Sequence, residues 1–296
     1  MLMRVEKQYK AYPLLPFSQL VFNMTRWIPW VSMFEVRWCW HGHKKELQRI
    51  ESAILQVLNH HPVFNMHVDA HGYQSYQSSP ATMKGQYYAI RLWTKGEDVY
   101  CRFRWSRILG DGKSIYIFFE NVIRAYRGEV LPPDEYLTYL DEQSHIQSSA
   151  RYAESKAWLE TTFADVQVPV RPLMDRKRLQ TILPMRVGII EDDYRNLSAD
   201  INRFSQDNML TLDGFFSLCV ALAIAEYCDT ESAALTWAYE GRETPMEQHI
   251  FGSLHRDIPF QIRCMNPATN QPYMRDELVR QARHQIRSGI AHSDYP

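Results

Sequence analysis

The stretch Phe103–Ser114, which reads FRWSRILGDGKS, constrains the fold of this chain more than any other. It continues a run from Val99 to Ile108 in which apolar and polar side chains alternate, as in a half-buried strand. Gly110-Asp111-Gly112 breaks that strand, and an apolar stretch, Lys113–Tyr126, follows at once. The pattern predicts a strand, a sharp turn whose Asp111 caps a helix, and a central helix packed from more than one direction.

The rest of the chain mixes strand and helix patterns and has no internal repeat. Apolar spacing predicts an amphipathic helix over Lys44–Leu58, which ends at His60-His61-Pro62. The stretch Leu212–Tyr227 is apolar throughout, so we expect a buried helix there. Other predicted elements are the strands Val31–His41, Tyr87–Thr94, Leu179–Ile190, Ala233–Tyr239 and Asp257–Ile262 and the helices Glu142–Phe163, Asp193–Ser205 and Tyr273–His292. Together they predict an α+β fold of two halves, residues 1–135 and 136–296.

Composition is ordinary for a soluble globular protein, and charge limits the choice of partner. Lys plus Arg total 33 and Asp plus Glu total 34, a balance that argues against nucleic acid as the main partner. The five cysteines form no CxxC pair and are predicted to be buried thiols in a reducing compartment. No apolar signal segment opens the sequence, and the longest apolar run, near Phe215–Ala225, is too short to span a bilayer. We therefore expect a cytoplasmic protein without membrane contact.

Three short motifs favour ordinary structural roles. Gly112-Lys113-Ser114 matches the end of a phosphate-binding loop, but that loop needs a glycine where this chain has Arg107. His41-Gly42-His43 could ligate a metal, but no third ligand is evident nearby, so we predict no metal site. The pair His60-His61 is expected to cap the end of its helix, with the imidazoles near the last carbonyls.

A longer pattern connects the turn to a known family. Asp111-Gly112, the helix after them and Tyr126-Arg127-Gly128 match the order His-His-x-x-x-Asp-Gly, helix, Tyr-x-Gly, with Ser106 and Arg107 at the two histidine positions. Further segments match in the same order along nearly the whole chain: Tyr12–Ser18, Leu58–Phe64, Pro133–Leu140, Lys156–Phe163, Trp237–Arg242, Phe251–Phe260 and Ala291–Pro296. On these residues the chain resembles the condensation domains of nonribosomal peptide synthetases and, more broadly, the chloramphenicol-acetyltransferase-like acyltransferases.

The resemblance implies two chloramphenicol-acetyltransferase-like halves arranged as a V, with a groove or tunnel between them that the turn faces. In the family, the second signature histidine orients or deprotonates the acceptor amine of a carrier-bound reaction. Arg107 cannot act as that base because a guanidinium stays protonated, although it could donate to a developing oxyanion. The candidate catalytic positions are Ser106, Arg107, Asp111 and Gly112. The candidate substrate- or channel-binding positions are Trp105, Ser114, Gly241 and Arg242.

The resemblance also predicts how these positions are supported. The signature aspartate of the family pairs with an arginine, and this chain has Asn65 at that place. We therefore expect Arg107 to fold back onto Asp111 or to project into the groove. Gly241 should allow a sharp turn, and Arg242 should tie the loop Glu240–Ser253 through hydrogen bonds to carbonyls. Family members continue beyond the segment at which this sequence stops, so we expect a shortened second half with an unpaired sheet edge.

Three functions are compatible with this pattern. The first is a condensation-domain-like protein of nonribosomal peptide or related acyl biosynthesis that binds carrier-tethered thioesters or a partner enzyme without the usual histidine. Some relatives with arginine at that place recruit tailoring enzymes. The second is an active acyltransferase that depends on positioning and oxyanion stabilisation. The third is a non-enzymatic half-fold completed by another chain. We expect no bound cofactor. The expected substrate is a phosphopantetheine-tethered thioester or acyl-CoA. The expected partner is a carrier protein, a tailoring enzyme, or a second copy of the chain bound through the C-terminal half.

Overall fold

The computed structural model describes residues 10–27, 33–77, 79–164 and 195–295. They form two compact units, each with helices and strands, as predicted for an α+β chain. The first unit contains the chain up to Ser149 together with Glu240–Arg256, and the second contains Ala150–Tyr239 and Asp257–Tyr295. The boundary between these compact units falls after Ser149, whereas the sequence-based division into halves at residue 135 stays a prediction. The structure also assigns to the first unit a segment that the sequence places between two strands of the second.

The elements of the first unit follow the predicted order, except that the predicted helix Glu142–Phe163 is interrupted at residues 147–149 and forms two helices. They are β1 (Tyr12–Pro13), α1 (Pro16–Thr25), β2 (Met33–Trp40), α2 (Leu47–His60), β3 (Met66–Val68), β4 (Tyr73–Tyr76), β5 (Tyr88–Lys95), β6 (Asp98–Ser106), α3 (Gly112–Arg127) and α4 (Tyr136–Ile146). Strands β1, β4 and β3 form a small antiparallel sheet. Strands β2, β6 and β5 form the second sheet, in that order and antiparallel throughout, with β6 in the centre.

Alternation along β6 fixes which face of this sheet is inside. Val99, Cys101, Phe103 and Trp105 are buried, whereas the intervening residues are more exposed. Helices α2 and α3 pack against each other, and their buried side chains join the same core. The strand–turn–helix sequence is confirmed, because β6 ends at Ser106 and α3 begins at Gly112.

Two helices are less buried than their composition predicts. On α3, Phe118 and Val122 are buried, but Tyr116 is 71 % exposed and Ile123 is 46 % exposed. The helix is packed from more than one direction, as predicted, because it contacts α2, β6 and the later segment that joins this unit, but its remaining side faces solvent. The predicted helix Leu212–Tyr227 is also not wholly buried, as described for the second unit below.

The second unit contains the remaining elements. They are α5 (Ala150–Thr162), α6 (Arg195–Asp207), α7 (Leu212–Cys228), β7 (Ser232–Tyr239), β8 (Arg256–Arg263), β9 (Met265–Asn266), β10 (Gln271–Pro272) and α8 (Arg275–Ala291). Strands β7 and β8 are neighbours in a two-stranded sheet, and the core joins their inner residues to α7 and α8. On α7, Leu218 and Ala221 are buried, but Phe216 and Val220 are about half exposed.

Three other expectations have mixed outcomes. The predicted strand Leu179–Ile190 lies outside the described residues. The five cysteines are free thiols, but only Cys101 and Cys228 are buried, and Cys219 is exposed. Among the described residues no single helix is long and apolar enough to cross a membrane. Helical residues Asn196–Asp207 and Leu212–Cys228 reach that length and composition only as a pair, bent by 102°.

Truncation of a side chain on the buried side of α3 should strongly destabilise the first unit, whereas truncation on the exposed side should not. Phe118 is fully buried against the rings of Phe64, Phe103 and Phe251. Phe118→Ala is expected to lower the free energy of unfolding by about 3–5 kcal/mol. Tyr116→Ala, two residues earlier, should change it by no more than about 0.5 kcal/mol. Urea unfolding followed by circular dichroism measures both, and equal losses would contradict this packing.

Candidate functional site

The two signature positions that lack histidine lie at the end of β6. Ser106 is buried, and its hydroxyl oxygen accepts a hydrogen bond from the backbone N–H of Ile108 at 3.3 Å. Arg107 is exposed, and its guanidinium carbon lies 4.6 Å from the ring centroid of Phe34 and 5.4 Å from that of Phe17. The side chain therefore lies over two aromatic rings as a cation–π contact.

Asp111 ends the turn and begins α3. Its Oδ1 accepts a hydrogen bond from the backbone N–H of Ser114 at 3.0 Å, while the Ser114 hydroxyl accepts one from the Asp111 N–H at 3.2 Å. This reciprocal capping box satisfies two backbone donors that a helix start leaves unpaired. The predicted cap is confirmed, and it uses the aspartate of the signature.

The same aspartate forms a buried ion pair with Arg242. Arg242 Nη1 lies 2.9 Å from Oδ2 and Nη2 lies 3.1 Å from Oδ1, and the two side chains are 0 % and 5 % exposed. Oδ2 also accepts the backbone N–H groups of Leu254 at 3.0 Å and His255 at 3.2 Å. A buried charge pair is favourable only when its remaining lone pairs and protons are satisfied, and this carboxylate meets that condition.

This pair corrects the expectation that Asp111 had lost its arginine. Arg107 does not fold back onto Asp111, because both carboxylate oxygens are already bound by Arg242 and by backbone groups. The replacement partner comes from a segment 131 residues away in the sequence. No local pattern around Asn65 or Arg107 could have indicated it.

Arg242 also organises the loop in which it lies. Its Nη2 donates to the carbonyl oxygens of Ile250 at 3.2 Å and Gly252 at 3.0 Å, and its Nη1 lies 3.3 Å from that of Glu240. The predicted bonds to loop carbonyls are confirmed. Gly241 has φ +67°, and a Cβ there would lie 2.1 Å from the Leu254 carbonyl oxygen, so the sharp turn requires glycine.

The electrostatic surroundings hold Asp111 as a carboxylate. Burial opposes the charged form, but the attraction and hydrogen bonds of Arg242, with those of Ser114, outweigh it, so the pKa of Asp111 lies below its usual value. An ionised carboxylate with both oxygens occupied is a poor proton acceptor at neutral pH. The contacts of Asp111 thus join the start of α3 to the loop after β7.

Two other candidate positions, Trp105 and Ser114, are buried. Trp105 is 2 % exposed and packs against Phe34 and Phe103 in the core of the first unit. The fully buried Ser114 hydroxyl lies 2.8 Å from the Gly252 carbonyl oxygen and so helps to hold the loop.

Packing requires the first glycine of the turn rather than the second. A Cβ on Gly110 would lie 2.7 Å from the Phe251 ring, whereas a Cβ on Gly112 would meet open space. The glycine of the signature, Gly112, is therefore not the position that steric crowding fixes.

A second buried polar cluster was missed by the sequence reasoning. His61 Nδ1 forms a very short hydrogen bond to Asp134 Oδ2, and Asn121 Nδ2 lies 3.0 Å from His61 Nε2. Asp134 also accepts the N–H groups of Tyr136 at 2.9 Å and Phe251 at 3.3 Å. The expected helix cap is wrong, because this imidazole binds a carboxylate. The Asp directly after Pro132-Pro133 was the only local signal.

His60, the neighbour of that histidine, also bonds away from its own helix. Its Nε2 lies 2.7 Å from the carbonyl oxygen of Pro132, outside α2. Burial lowers the pKa of His60, which favours a neutral ring that donates to this carbonyl. Both imidazoles therefore join α2 to the segment that precedes α4.

The buried Asp111–Arg242 pair should contribute far more to the free energy of unfolding than an exposed ion pair beside it. Arg242→Ala leaves a buried carboxylate without its charge partner and is expected to cost about 3–5 kcal/mol of unfolding free energy. The control is Lys113→Ala, which removes the exposed pair to Glu240 at 3.4 Å and should cost no more than about 1 kcal/mol. Denaturant unfolding of both variants checks the difference. An unchanged transition in the Arg242 variant would refute the role of the pair.

Acidification should remove the contribution of the Asp111–Arg242 pair to the free energy of unfolding. Because its pKa is lower in the folded protein, Asp111 stabilises the protein above its unfolded pKa of about 3.9, and this contribution is lost as pH falls through the folded value. The stability gap between the wild type and Asp111→Asn should therefore be constant near neutral pH and shrink below about pH 4. Unfolding curves recorded from neutral to acidic pH measure the gap. A gap that widens on acidification contradicts the assignment.

Comparisons with known proteins agree with this architecture. The condensation-domain family model matches residues 74–296. FR901469 synthetase of Dothideomycetidae sp. (strain 11243) is 26 % identical over 155 residues, which are 52 % of this chain and 1 % of that synthetase.

Solved condensation domains share the fold. The condensation domain of the Monacolin K polyketide synthase MokA has a TM-score of 0.78 at 15 % identity, over 97 % of this chain and 74 % of that one. The starter condensation domain of rhizomide synthetase RzmA, solved as a mutant in complex with C8-CoA, has a TM-score of 0.73 at 16 % identity, over 97 % and 73 %. Together with the family match, this confirms the resemblance found in the sequence: the chain belongs to the condensation-domain family.

Proposed function

We propose that this protein is a condensation-domain-like component of nonribosomal peptide or related acyl biosynthesis that binds acyl or peptidyl thioesters, or a partner enzyme, without efficient amide-bond formation. The observation that carries the proposal is the side chain at the second signature position. The side chain of Arg107 lies over Phe17 and Phe34, and a guanidinium stays protonated, so it cannot act as a base.

The other polar groups around the turn do not supply the missing base. Asp111 is bound on both oxygens by Arg242 and backbone N–H groups. His61 is fully buried between Asp134 and Asn121. His255, in contrast, lies beside an aromatic ring that Arg107 also contacts. The centroid of its imidazole is 3.9 Å from that of Phe17. His255 is thus the imidazole to test for residual base activity.

The proposed ligand is a thioester carried on phosphopantetheine or CoA. The rhizomide starter domain is described in complex with C8-CoA, and we transfer to this chain only the class of ligand. A cation such as Arg107 can attract the polarised carbonyl oxygen of a bound thioester. A carrier protein or a tailoring enzyme is the proposed partner. Self-association through the C-terminal half stays a prediction, which sedimentation velocity over a concentration series tests.

An active acyltransferase is the second candidate, and the same residue favours it. Guanidinium donors can stabilise an oxyanion, and acyl transfer from a thioester to an amine of low pKa needs little help from a base. The two candidates differ in what happens when the charge at Arg107 is removed. Loss of transfer activity supports the acyltransferase, whereas gain of activity on restoring an imidazole supports the proposed function.

Acyl transfer by variants of Arg107 is the decisive measurement. With a carrier-bound acyl thioester and an amine acceptor, the wild type should bind the carrier but transfer no faster than a protein-free control. Arg107→His should raise the rate by at least about tenfold, toward the 10²–10⁴-fold that a positioned base contributes. Arg104→His, at an exposed arginine of β6 three residues earlier, is the matched control and should change nothing.

Other outcomes of the same measurement would contradict the proposed function. Transfer by the wild type that is lost in Arg107→Ala, with the fold intact by circular dichroism, contradicts the proposed function and establishes the acyltransferase. If His255→Ala abolishes that transfer as well, the imidazole beside Phe17 is its base. Failure of both the wild type and Arg107→His to bind any loaded carrier refutes thioester binding altogether.

A further inference from the structure

Three side chains that commonly bind metals meet at one end of the β2–β6 strand pair. Trp40 of β2 lies opposite Val99 of β6 in the antiparallel register. Because side chains alternate along a strand, Cys39 and His41 share one face with Asp98, one residue before Val99. One ligand atom from each of Cys39, His41 and Asp98 lies within 4.8 Å of the other two.

Two of the three separations between these atoms are close to those of a tetrahedral zinc centre. Cys39 Sγ lies 3.7 Å from His41 Nδ1, which in turn lies 3.2 Å from Asp98 Oδ2. Zinc bonds of about 2.3 Å to sulfur and about 2.0–2.1 Å to nitrogen and oxygen, at tetrahedral angles, place S and N about 3.5 Å apart and N and O about 3.3 Å apart. The side chains need only small shifts to bind one ion.

The backbone orients the carboxylate for this role. Gly42, at φ +73°, makes the turn after β2, and its N–H donates to Asp98 Oδ1 at 2.9 Å. Oδ2 is thereby left facing His41. Supporting contacts of this kind are typical of metal ligands.

We propose that Cys39, His41 and Asp98 form a binding site for a divalent zinc ion. A thiolate, an imidazole and a carboxylate suit zinc better than Mg²⁺ or Ca²⁺, which prefer oxygen ligands alone. Three protein ligands leave the fourth position of a tetrahedral ion for water or for a group from a partner. His43 is not the fourth ligand, because its Nδ1 lies 3.2 Å from Glu46 Oε1.

The site also revises the sequence-based expectation of no metal. His41 was recognised as a possible ligand, but its companions are Cys39, two residues earlier, and Asp98, 57 residues later. A bound ion would fix the turn after β2 to the start of β6. Since the ion binds the folded form, zinc should raise the melting temperature of the protein.

Cobalt and zinc binding by tag-free, reduced protein test the proposal. Co²⁺ should bind with one equivalent per chain and give the visible absorption of a tetrahedral ion together with a thiolate-to-cobalt charge-transfer band, and Zn²⁺ should displace it. Cys39→Ser should remove the charge-transfer band. His41→Ala and Asp98→Asn should weaken binding at least about tenfold, as expected for lost ligation. The asparagine keeps an acceptor for the Gly42 N–H.

Controls separate this site from other metal-binding groups of the chain. Cys219→Ser removes an exposed thiol, and His71→Ala an exposed imidazole, and neither should change the spectra or the affinity. The His41 side chain is 82 % exposed, so His41→Ala should keep its fold even if Cys39→Ser does not. A band that disappears in Cys219→Ser and persists in Cys39→Ser overturns the proposal. So does the absence of stoichiometric Co²⁺ or Zn²⁺ binding by the folded wild type.

Discussion

The buried pair of Asp111 and Arg242 is the interaction on which the organisation of the first unit depends. One carboxylate caps α3, binds the guanidinium through both oxygens and accepts two backbone N–H groups of the loop after β7. The guanidinium in turn binds carbonyls of that loop. Neither charge can be removed alone without leaving the other desolvated and unpaired. The pair thus joins the turn, the start of the helix and a segment from a distant part of the sequence.

This arrangement separates the structural and chemical parts of the signature. The aspartate keeps a full set of partners, so the fold around the turn does not depend on the two missing histidines. Ser106 and Arg107 can therefore differ from the family pattern without the loss of the turn. In the proposed function, the difference lies in the chemistry at the end of β6, where a guanidinium over two aromatic rings stands at a position that the family pattern gives to histidine.

Local patterns predicted which segments become helices and strands, but they did not predict how deeply each is buried. The hairpin of β5 and β6 and the helix α3 lie where periodicity placed them, because alternation and apolar spacing report the conformation of a single segment. Apolar composition alone indicated full burial for α7, yet Phe216 and Val220 are about half exposed. Burial depends on which elements pack against each face, and a single segment carries no information about its neighbours.

The sequence by itself determined the strand, turn and helix around Asp111, the glycine turn at Gly241, the family, and the absence of a titratable base at Arg107. Only the tertiary structure decided that Arg242 is the partner of Asp111, that His61 binds Asp134, and that Cys39, His41 and Asp98 share one end of a sheet. The physical reason is distance along the chain. Capping boxes and turns join residues that are a few positions apart in the sequence. These ion pairs and clusters join residues that only strand register and core packing bring together.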